Sequence, residues 1–428
     1  MITSPVFRGK RYAVLGLARS GAATVEALLA SGAQVVAWDS DDAKRTAILP
    51  LAGEELILAD PLDIDLSGFE GIVVSPGVPL NTHPIAARAR AAGVPVIGDI
   101  ELFALARPSL PPHKVVGITG TNGKSTTTAL IHHILETAGV PTLMGGNIGL
   151  PILGRDPLPT GGVYVLELSS YQIDLTYSLD CDVAVLTNIT PDHLDRYDGF
   201  EGYVASKRRL FEMQRNGRAV VAVDDGPSRE IASLSFSTTR VTQDEYTKWQ
   251  KHWPSLQGPH NRQNAALAIA AAKELGIGWP TIEVALASFT GLPHRMERVT
   301  EKGGVLYVND SKATNATATA PALAAYPKIH WILGGIPKTD DLDDCAPFFG
   351  HVRAGYTIGQ AGPMFAGILR RAGKPVTESG TLAQAVNDAA AAARPGEVVM
   401  LSPACASFDQ FKDYEARGDA FRAAVGAL

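Results

Sequence analysis

Cysteine is scarce in this chain: three in 428 residues, Cys181, Cys345 and Cys405. They are odd in number, far apart and without metal-ligand spacing, which argues against a disulfide framework and for a reducing compartment. The N-terminus, Met-Ile-Thr-Ser-Pro, lacks the charged region, apolar run and small-residue cleavage site of a secretion signal. No apolar stretch reaches the length that spans a bilayer. Charge of one sign is also in short supply. The net charge of −6 argues against a broad surface for nucleic acid or an anionic membrane. A soluble, cytoplasmic chain is expected, with no nucleic-acid partner and no membrane partner. No solenoid-like period appears, and no low-complexity tract beyond alanine enrichment.

What is present is an ordinary globular balance, 46% hydrophobic and 19% charged residues. The length predicts two or three domains. Short β-rich runs alternate with longer helical patterns, which points to the α/β class and parallel sheets. In a first block Tyr12–Leu17, Gln34–Asp39, Gly71–Ser75 and Pro95–Gly98 read as strands, and Ala22–Ala30, followed by Gly32, as a helix. Pro108–His113 reads as a linker. A second block has strands at Lys114–Ile118, Gly162–Leu168, Asp182–Thr187 and Gly217–Asp224. Its helices run from Ser125 to near Gly139 and over Gln263–Leu275, and Ser233–Gln257 is too irregular to assign. The third block begins near Gly291-Leu292-Pro293, with strands at Val305–Asn309, Ile329–Leu333, Gly355–Ile358 and Glu397–Leu401. The expected domains are 1–107, 114–290 and 291–428.

The strongest chemical signal is Gly120-Thr121-Asn122-Gly123-Lys124-Ser125-Thr126, between an apolar strand and a helix. Small residues let successive N–H groups face a polyphosphate, and a helix N-terminus adds a favourable dipole. Lys124 can reach the outer phosphates and the Ser125 hydroxyl can ligate Mg²⁺. The spacing departs from the standard P-loop in having Ile118 five positions before Gly123. A strand-to-helix turn that binds no phosphate is the alternative.

Glu167 and His193 lie where apolar strands give way to loops, the end of a parallel sheet at which ligands collect. Glu167 is a hard oxygen ligand for Mg²⁺, with His193 a second candidate; a capping carboxylate and a surface histidine are the bland readings. Lys207, in Tyr203–Arg209, reads on its own as part of a solvated basic helix face. Gly16-Leu17-Ala18-Arg19-Ser20-Gly21, with Asp39 at the next strand's end, resembles a degraded dinucleotide fingerprint, with Ala18 where close pyrophosphate approach needs glycine. Diphosphate binding and a merely structural turn both remain open there. Near the C-terminus, Asn309–Asn315 and Ser402–Lys412 are polar for strand ends. Lys312, Thr314 and Ser407 suit an anionic substrate, while Ser407 also suits a helix cap before Asp409–Arg422.

Gly120–Thr126, Glu167–Gln172, Asp192-His193, His260–Asn264, Gly291–Arg295, Asn309–Asn315 and Ser402–Lys412 follow one another as in the Mur ligase family, which the whole chain resembles. Asn309–Asn315 and Ser402–Gly418 are most similar to members that add D-glutamate to UDP-N-acetylmuramoyl-L-alanine. The resemblance implies three domains: a Rossmann-like N-terminal domain for the UDP moiety, a central P-loop ATPase domain, and a Rossmann-like C-terminal domain for the amino acid. It implies a ligase of peptidoglycan precursor synthesis, and hence of cell-wall biogenesis, cell shape and cell division. The reaction runs through an acyl phosphate, with ATP and two Mg²⁺ ions as cofactors, in a monomer.

By the same resemblance, Gly120 to Thr126, Asn264, Arg295 and Asp310 bind ATP, with His294 nearby. Ser125, Glu167, His193 and Lys207 bind the metals, Lys207 as a carbamate. Gly16, Ser40, Gly77 and Asn147 hold the UDP-linked substrate. Lys312, Thr314, Lys338, Ser407 and Tyr414 form the D-glutamate pocket, and Lys124, His193, Lys207 and Lys312 act in catalysis. Two places depart from the family pattern: Tyr414 replaces a common phenylalanine, and Gly334–Asp341 differs around Lys338. An acyl phosphate hydrolyses readily, so closure of the C-terminal domain over ATP is expected, hinged near Gly291. The rivals are a sister ligase using L-glutamate, another amino acid or folate, an NAD-dependent oxidoreductase, and a nucleotide-dependent regulator without turnover.

Overall fold

Strands form where apolar runs are buried on both faces, and in the computed structural model, which describes residues 1–51, 53–234 and 237–428, they build three sheets. The first contains β1 (Arg11–Leu15), β2 (Gln34–Trp38), β3 (Leu56–Leu58), β4 (Gly71–Val74) and β5 (Val96–Ile97). Its order is β3-β2-β1-β4-β5, all parallel, so the chain reverses direction across the sheet between β1 and β4. That reversal opens a crevice at the strands' carboxyl ends.

The second sheet contains β6 (His113–Thr119), β7 (Thr142–Gly146), β8 (Gly162–Glu167), β9 (Val183–Leu186), β10 (Arg218–Ala222) and β11 (Thr238–Val241). It is again all parallel, in the order β11-β10-β9-β6-β8-β7. The third contains β12 (Glu297–Lys302), β13 (Val305–Asn309), β14 (Ile329–Gly334), β16 (Val352–Ile358), β17 (Val376–Gly380) and β18 (Val398–Leu401), with β15 (Ile336–Pro337) and β19 (Cys405–Ala406) as a separate antiparallel ribbon. Its order is β12-β13-β18-β14-β16-β17, parallel except for the edge strand β12.

By contacts the chain divides into two compact units, Met1–Thr242 with Ala266–Ala285, and Gln243–Ala265 with Leu286–Leu428. In the first unit the two sheets share a core. Tyr12, Val35, Ile97, Phe103, Tyr164 and Leu166 belong to one apolar cluster. The helix Asp99–Ala106 is the common element: the Phe103 and Tyr164 rings meet edge-on at 5.0 Å. The buried Glu101 carboxylate accepts from the Tyr177 N–H at 2.6 Å, the Ser178 N–H at 2.9 Å and the Ser178 hydroxyl at 2.7 Å. In the second unit the sheet alternates strictly between two cores. Val308, Trp331, Leu333 and Met400 enter one, while Tyr307, Ile332, Val399 and Leu401 enter the other.

The expected strands are present with small shifts at their ends, and seven of the described strands were not anticipated: β3, β7, β11, β12, β15, β17 and β19. Pro108–His113 is no extended linker. Arg107–Ser109 is a 3₁₀ turn and β6 already starts at His113. The unassigned stretch Ser233–Gln257 contains β11 and a 3₁₀ turn at Gln250–His252; its residues Ser235 and Phe236 lie outside the described residues. The expected helix Asp409–Arg422 is corrected. It runs over Tyr414–Gly426 and its cap is Asp413, whose carboxylate accepts from the Ala416 N–H at 2.6 Å. Ser407 therefore does not cap it; the irregular segment 408–413 intervenes.

Removing the Glu101 side chain takes a buried carboxylate away from three donors, two of them backbone N–H groups. Glu101→Ala is expected to lower the unfolding free energy of the first unit by about 2–3 kcal/mol. Denaturant unfolding of the full chain checks this, and a change below about 0.5 kcal/mol contradicts it.

Candidate functional site

The loop Gly120–Gly123 leaves β6 and turns directly into the helix Lys124–Thr137. Gly120 has φ 141, and a Cβ there would lie 1.9 Å from Thr187 Oγ1, so only glycine fits. Gly123 is the left-handed residue that starts the helix. The loop is laced to the end of β9: the Thr121 N–H donates to Asn188 O at 2.8 Å and the Asn122 N–H to Asn188 Oδ1 at 2.9 Å, while the Thr187 hydroxyl donates to Asn122 O at 2.6 Å. Lys124 folds back over the loop, its ammonium 3.0 Å from Gly120 O and 2.8 Å from Thr121 O. This is a rigid anion cradle at a helix N-terminus.

Beneath it lies Lys207, 1% exposed, with Nζ donating to Gly120 O at 2.8 Å and lying 4.4 Å from the Tyr203 ring centre. The solvated basic face expected from its neighbours is thus corrected. Tyr203, Ser206, Lys207 and Leu210 form the buried stripe of the helix Gly199–Glu212, and that spacing was readable in the sequence. Burial, with the charge of Lys124 second, lowers the Lys207 pKa well below that of an ordinary lysine. The shift favours the neutral amine, the form of lysine that is nucleophilic.

Glu167 ends β8 and is 2% exposed. One carboxylate oxygen accepts from Asn147 Nδ2 at 2.8 Å; the other, Oε2, is buried without a hydrogen-bond partner. A buried carboxylate oxygen lacking a donor is where a cation fits. Asn147 is itself held by its N–H on Glu167 O at 2.8 Å. His193 sits in an exposed loop with φ 52, its ring 5.1 Å from that of Tyr171. Among the described residues no group of three or more His, Cys, Asp or Glu side chains is poised to hold a metal by itself. A magnesium ion here would complete its shell with phosphate and water oxygens, as Mg²⁺ commonly does.

Gly16, Ser40 and Gly77 follow β1, β2 and β4, three adjacent strands at the reversal point of the first sheet. Gly16 has φ 92, and a Cβ there would meet Ser75 at 2.8 Å. Asp39 accepts from the Leu17 N–H at 2.7 Å and the Asp41 N–H at 3.0 Å. Its burial alone would raise its pKa, but these hydrogen bonds and Lys44 outweigh burial and hold the carboxyl below the usual range. Asp39 thus shapes the turn, a different task from the ribose contact of a dinucleotide fold.

The remaining candidates belong to the second unit. Asn264 Nδ2 donates to Asn261 Oδ1 at 3.2 Å on the helix Pro259–Glu274. Arg295 lies between His294 (φ 61) and Met296 (φ 49), a strained turn. His294 is buried against Gly418, where a Cβ would come within 2.1 Å of its Nδ1. Asp310 is buried at the end of β13, accepting from the Met296 N–H at 3.1 Å and the Ser402 hydroxyl at 2.8 Å. Lys312 Nζ sits 3.8 Å from the Tyr414 ring centre. Thr314 is half-buried just before the cap residue Asn315, Ser407 is buried just after β19, and Lys338 is exposed just after β15, the partner of β19.

The sequence reading missed the residues that brace these groups. Arg417 is one: its guanidinium reaches Ser311 O at 2.8 Å and Cys405 O at 3.0 Å, tying together the segments that carry Lys312 and Ser407. Asn188, Tyr203 and Tyr171 are others: Asn188 belongs to no named motif, Tyr171 lies within Glu167–Gln172 without having been given a role, and Tyr203 is marked only by the helical spacing it shares with Lys207.

Family models match most of the chain: the "Mur ligase MurD-like, N-terminal domain" over residues 10–98, the "Mur ligase middle domain" over 118–272 and the "Mur ligase, glutamate ligase domain" over 294–405. Among curated relatives, the UDP-N-acetylmuramoylalanine--D-glutamate ligase of Novosphingobium aromaticivorans is 65% identical, covering 100% of this chain and 97% of its own. The proteins of that name from Sphingopyxis alaskensis and Zymomonas mobilis are 64% and 62% identical, each over 100% of both chains. Among solved structures, the UDP-N-acetylmuramate-alanine ligase MurC of Thermotoga maritima superposes with TM-score 0.58 at 18% identity over 98% of this chain and 99% of its own, a likeness of fold.

Burial pushes the Asp310 carboxyl up to about 7, against the pull of its hydrogen bonds from Ser402 and Met296. In the unfolded chain the group titrates near about 3.9. Between those values the folded state keeps a proton that the unfolded state has lost, so stability falls as pH rises through the window and levels off above it. Asp310→Asn is therefore expected to gain stability relative to the parent as pH rises from about 4 to the folded pKa, measured by denaturant unfolding at a series of pH values. A difference between the two that does not vary with pH contradicts this.

Proposed function

Because the chain belongs to the Mur ligase family, we propose that it joins D-glutamate to UDP-N-acetylmuramoyl-L-alanine with conversion of ATP to ADP and phosphate, a step of peptidoglycan precursor synthesis. The observation that carries this reading is the full-length likeness to ligases of that name. The site agrees with it: a glycine loop under a lysine, a buried carboxylate oxygen with no donor, and a buried amine below both. The reading divides the work as residues 1–107 for the UDP group, 114–290 for ATP and 291–428 for the amino acid, in a cytoplasmic monomer.

The chemistry needs a carboxylate to approach a polyanion. Lys124 and the N-terminus of its helix neutralise the phosphates and hold the terminal phosphoryl group in line. A carboxylate oxygen of the UDP-linked substrate attacks the γ-phosphorus, the bond to ADP breaks, and an acyl phosphate forms. The amine of D-glutamate then attacks the acyl carbon, phosphate leaves with the bonding electron pair, and the amine's proton passes to solvent. Asn147, fixed by Glu167, orients the muramoyl part; Gly16, Ser40 and Gly77 hold the uridine diphosphate. Asn264, Arg295 and Asp310 serve ATP, and Lys312, Thr314, Lys338, Ser407 and Tyr414 serve D-glutamate.

The buried Lys207 amine adds carbon dioxide and releases a proton, leaving a carbamate. With Ser125, Glu167 and His193 that carboxylate supplies oxygen and nitrogen ligands for two Mg²⁺ ions. Bound there, the ions offset the charge that builds on the transferring phosphoryl group. The carbamate also offsets the charge of Lys124, since the amine beside it becomes an anion.

The test is phosphate release from ATP, Mg²⁺ and UDP-N-acetylmuramoyl-L-alanine, with D-glutamate, L-glutamate and other amino acids in parallel. Release that depends on D-glutamate is expected; release with another amino acid alone assigns a sister ligase. Lys124→Ala is expected to lower turnover about a thousandfold or more with the fold intact, and near-normal turnover contradicts the phosphate clamp. Lys207→Ala should also be inactive, yet recover part of its rate when short carboxylic acids fill the carbamate's place. Absence of any rescue, with UDP-substrate binding unchanged, counts against the carbamate.

A further inference from the structure

The loop that carries His193 has no regular structure of its own. Residues Pro191–Asp195 are exposed, and His193 holds a left-handed conformation that costs a non-glycine residue energy. Something outside the loop must hold it. On one side is an aromatic shelf: Tyr171 stacks on Tyr197 at 6.1 Å, and the Tyr197 hydroxyl donates to Asp174 at 2.8 Å. On the other side is the segment after β4, which carries Gly77. Arg196 spans the two. Its guanidinium lies 4.4 Å from the Tyr171 ring centre and donates to Val78 O at 3.0 Å, while its N–H closes the turn on His193 O at 3.0 Å. A second bond across the same boundary runs from Asn81 Nδ2 to Asp195 O at 3.1 Å.

We propose that Arg196 is a positioning residue, a latch through which the diphosphate-binding segment Pro76–Asn81 sets the geometry of the His193 loop. The inference rests on the reading above, in which Gly77 holds the uridine diphosphate and His193 a metal. It makes the loop's order depend on occupancy of the first sheet's crevice. Nucleotide-sugar binding pins Val78 and Asn81, and Arg196 and Asn81 pass that restraint to His193. A cation stacked on an aromatic face and bonded to a carbonyl suits this task, because arginine's planar group satisfies both partners at once.

The test is amide hydrogen exchange on the full chain with and without saturating UDP, in the absence of ATP and Mg²⁺. UDP reaches only the first sheet's crevice, so any effect on residues 190–199 is transmitted. In the parent, UDP is expected to slow exchange in residues 12–20 and 75–81 and, by about tenfold, in 190–199. Arg196→Gln is expected to keep the first two effects and lose the third; Arg196→Lys should restore it in part, and Asn81→Ala weakens it by an independent route. In turnover, Arg196→Gln should lower kcat/KM for the UDP-linked substrate about tenfold and leave KM for ATP within about twofold. Protection of 12–20 without protection of 190–199 in the parent, or equal protection in the variants, overturns the latch. No protection of 12–20 at all overturns the UDP reading of the crevice, and the latch with it.

Discussion

Four residues, Gly120–Gly123, must stay fixed, with the Thr121 and Asn122 N–H groups tied to Asn188 and the loop carbonyls turned inward, and the rest of the site is arranged around that demand. Fixed in this way, the loop presents the N-terminus of the helix Lys124–Thr137, where an anion is favoured. The inward carbonyl of Gly120 needs donors, and it takes two lysines, Lys124 from above and Lys207 from below. Burial first, and then the charge of Lys124, lower the Lys207 pKa and favour its neutral form. Structure and reactivity therefore have one cause: the burial that lets Lys207 support the loop also makes its amine nucleophilic.

The same economy links the first two sheets. Helix Asp99–Ala106 covers the first sheet and docks on the second through Phe103 and Glu101, in one continuous apolar cluster. The carboxyl ends of β1, β2 and β4 thereby belong to the same body as the loop Gly120–Gly123. Arg196 adds a polar connection between these elements through its bond to Val78 O. In the second unit Arg417 has a comparable place, bonding the backbones of two segments that carry the proposed amino-acid ligands.

Much of this was legible in the sequence. β8 and β9 are buried along their whole length, so they read as unbroken apolar runs. The loop Gly120–Thr126 is recognisable because its chemistry needs small residues at fixed positions. β12 escaped notice because it is an antiparallel edge strand of Glu, Arg, Thr and Lys around a single valine, none of it fully buried. Lys207 was misread for a different reason: three basic residues in a row suggested solvent, whereas the helical period set one of them inward. Glu101 and Asn188 carry no local signal at all, since their partners lie far away in the chain. Ser407 was given a capping role by proximity, when Asp413 stands at the helix's actual start.

The central claim is that a phosphate-holding loop passes a phosphoryl group to a carboxylate before any amide bond forms. The direct measurement is to label both oxygens of the UDP-N-acetylmuramoyl-L-alanine carboxylate with heavy oxygen and analyse the phosphate released as D-glutamate is added. Activation as an acyl phosphate predicts one labelled oxygen in each phosphate produced. Phosphate without label, released while the amide product accumulates, would contradict it.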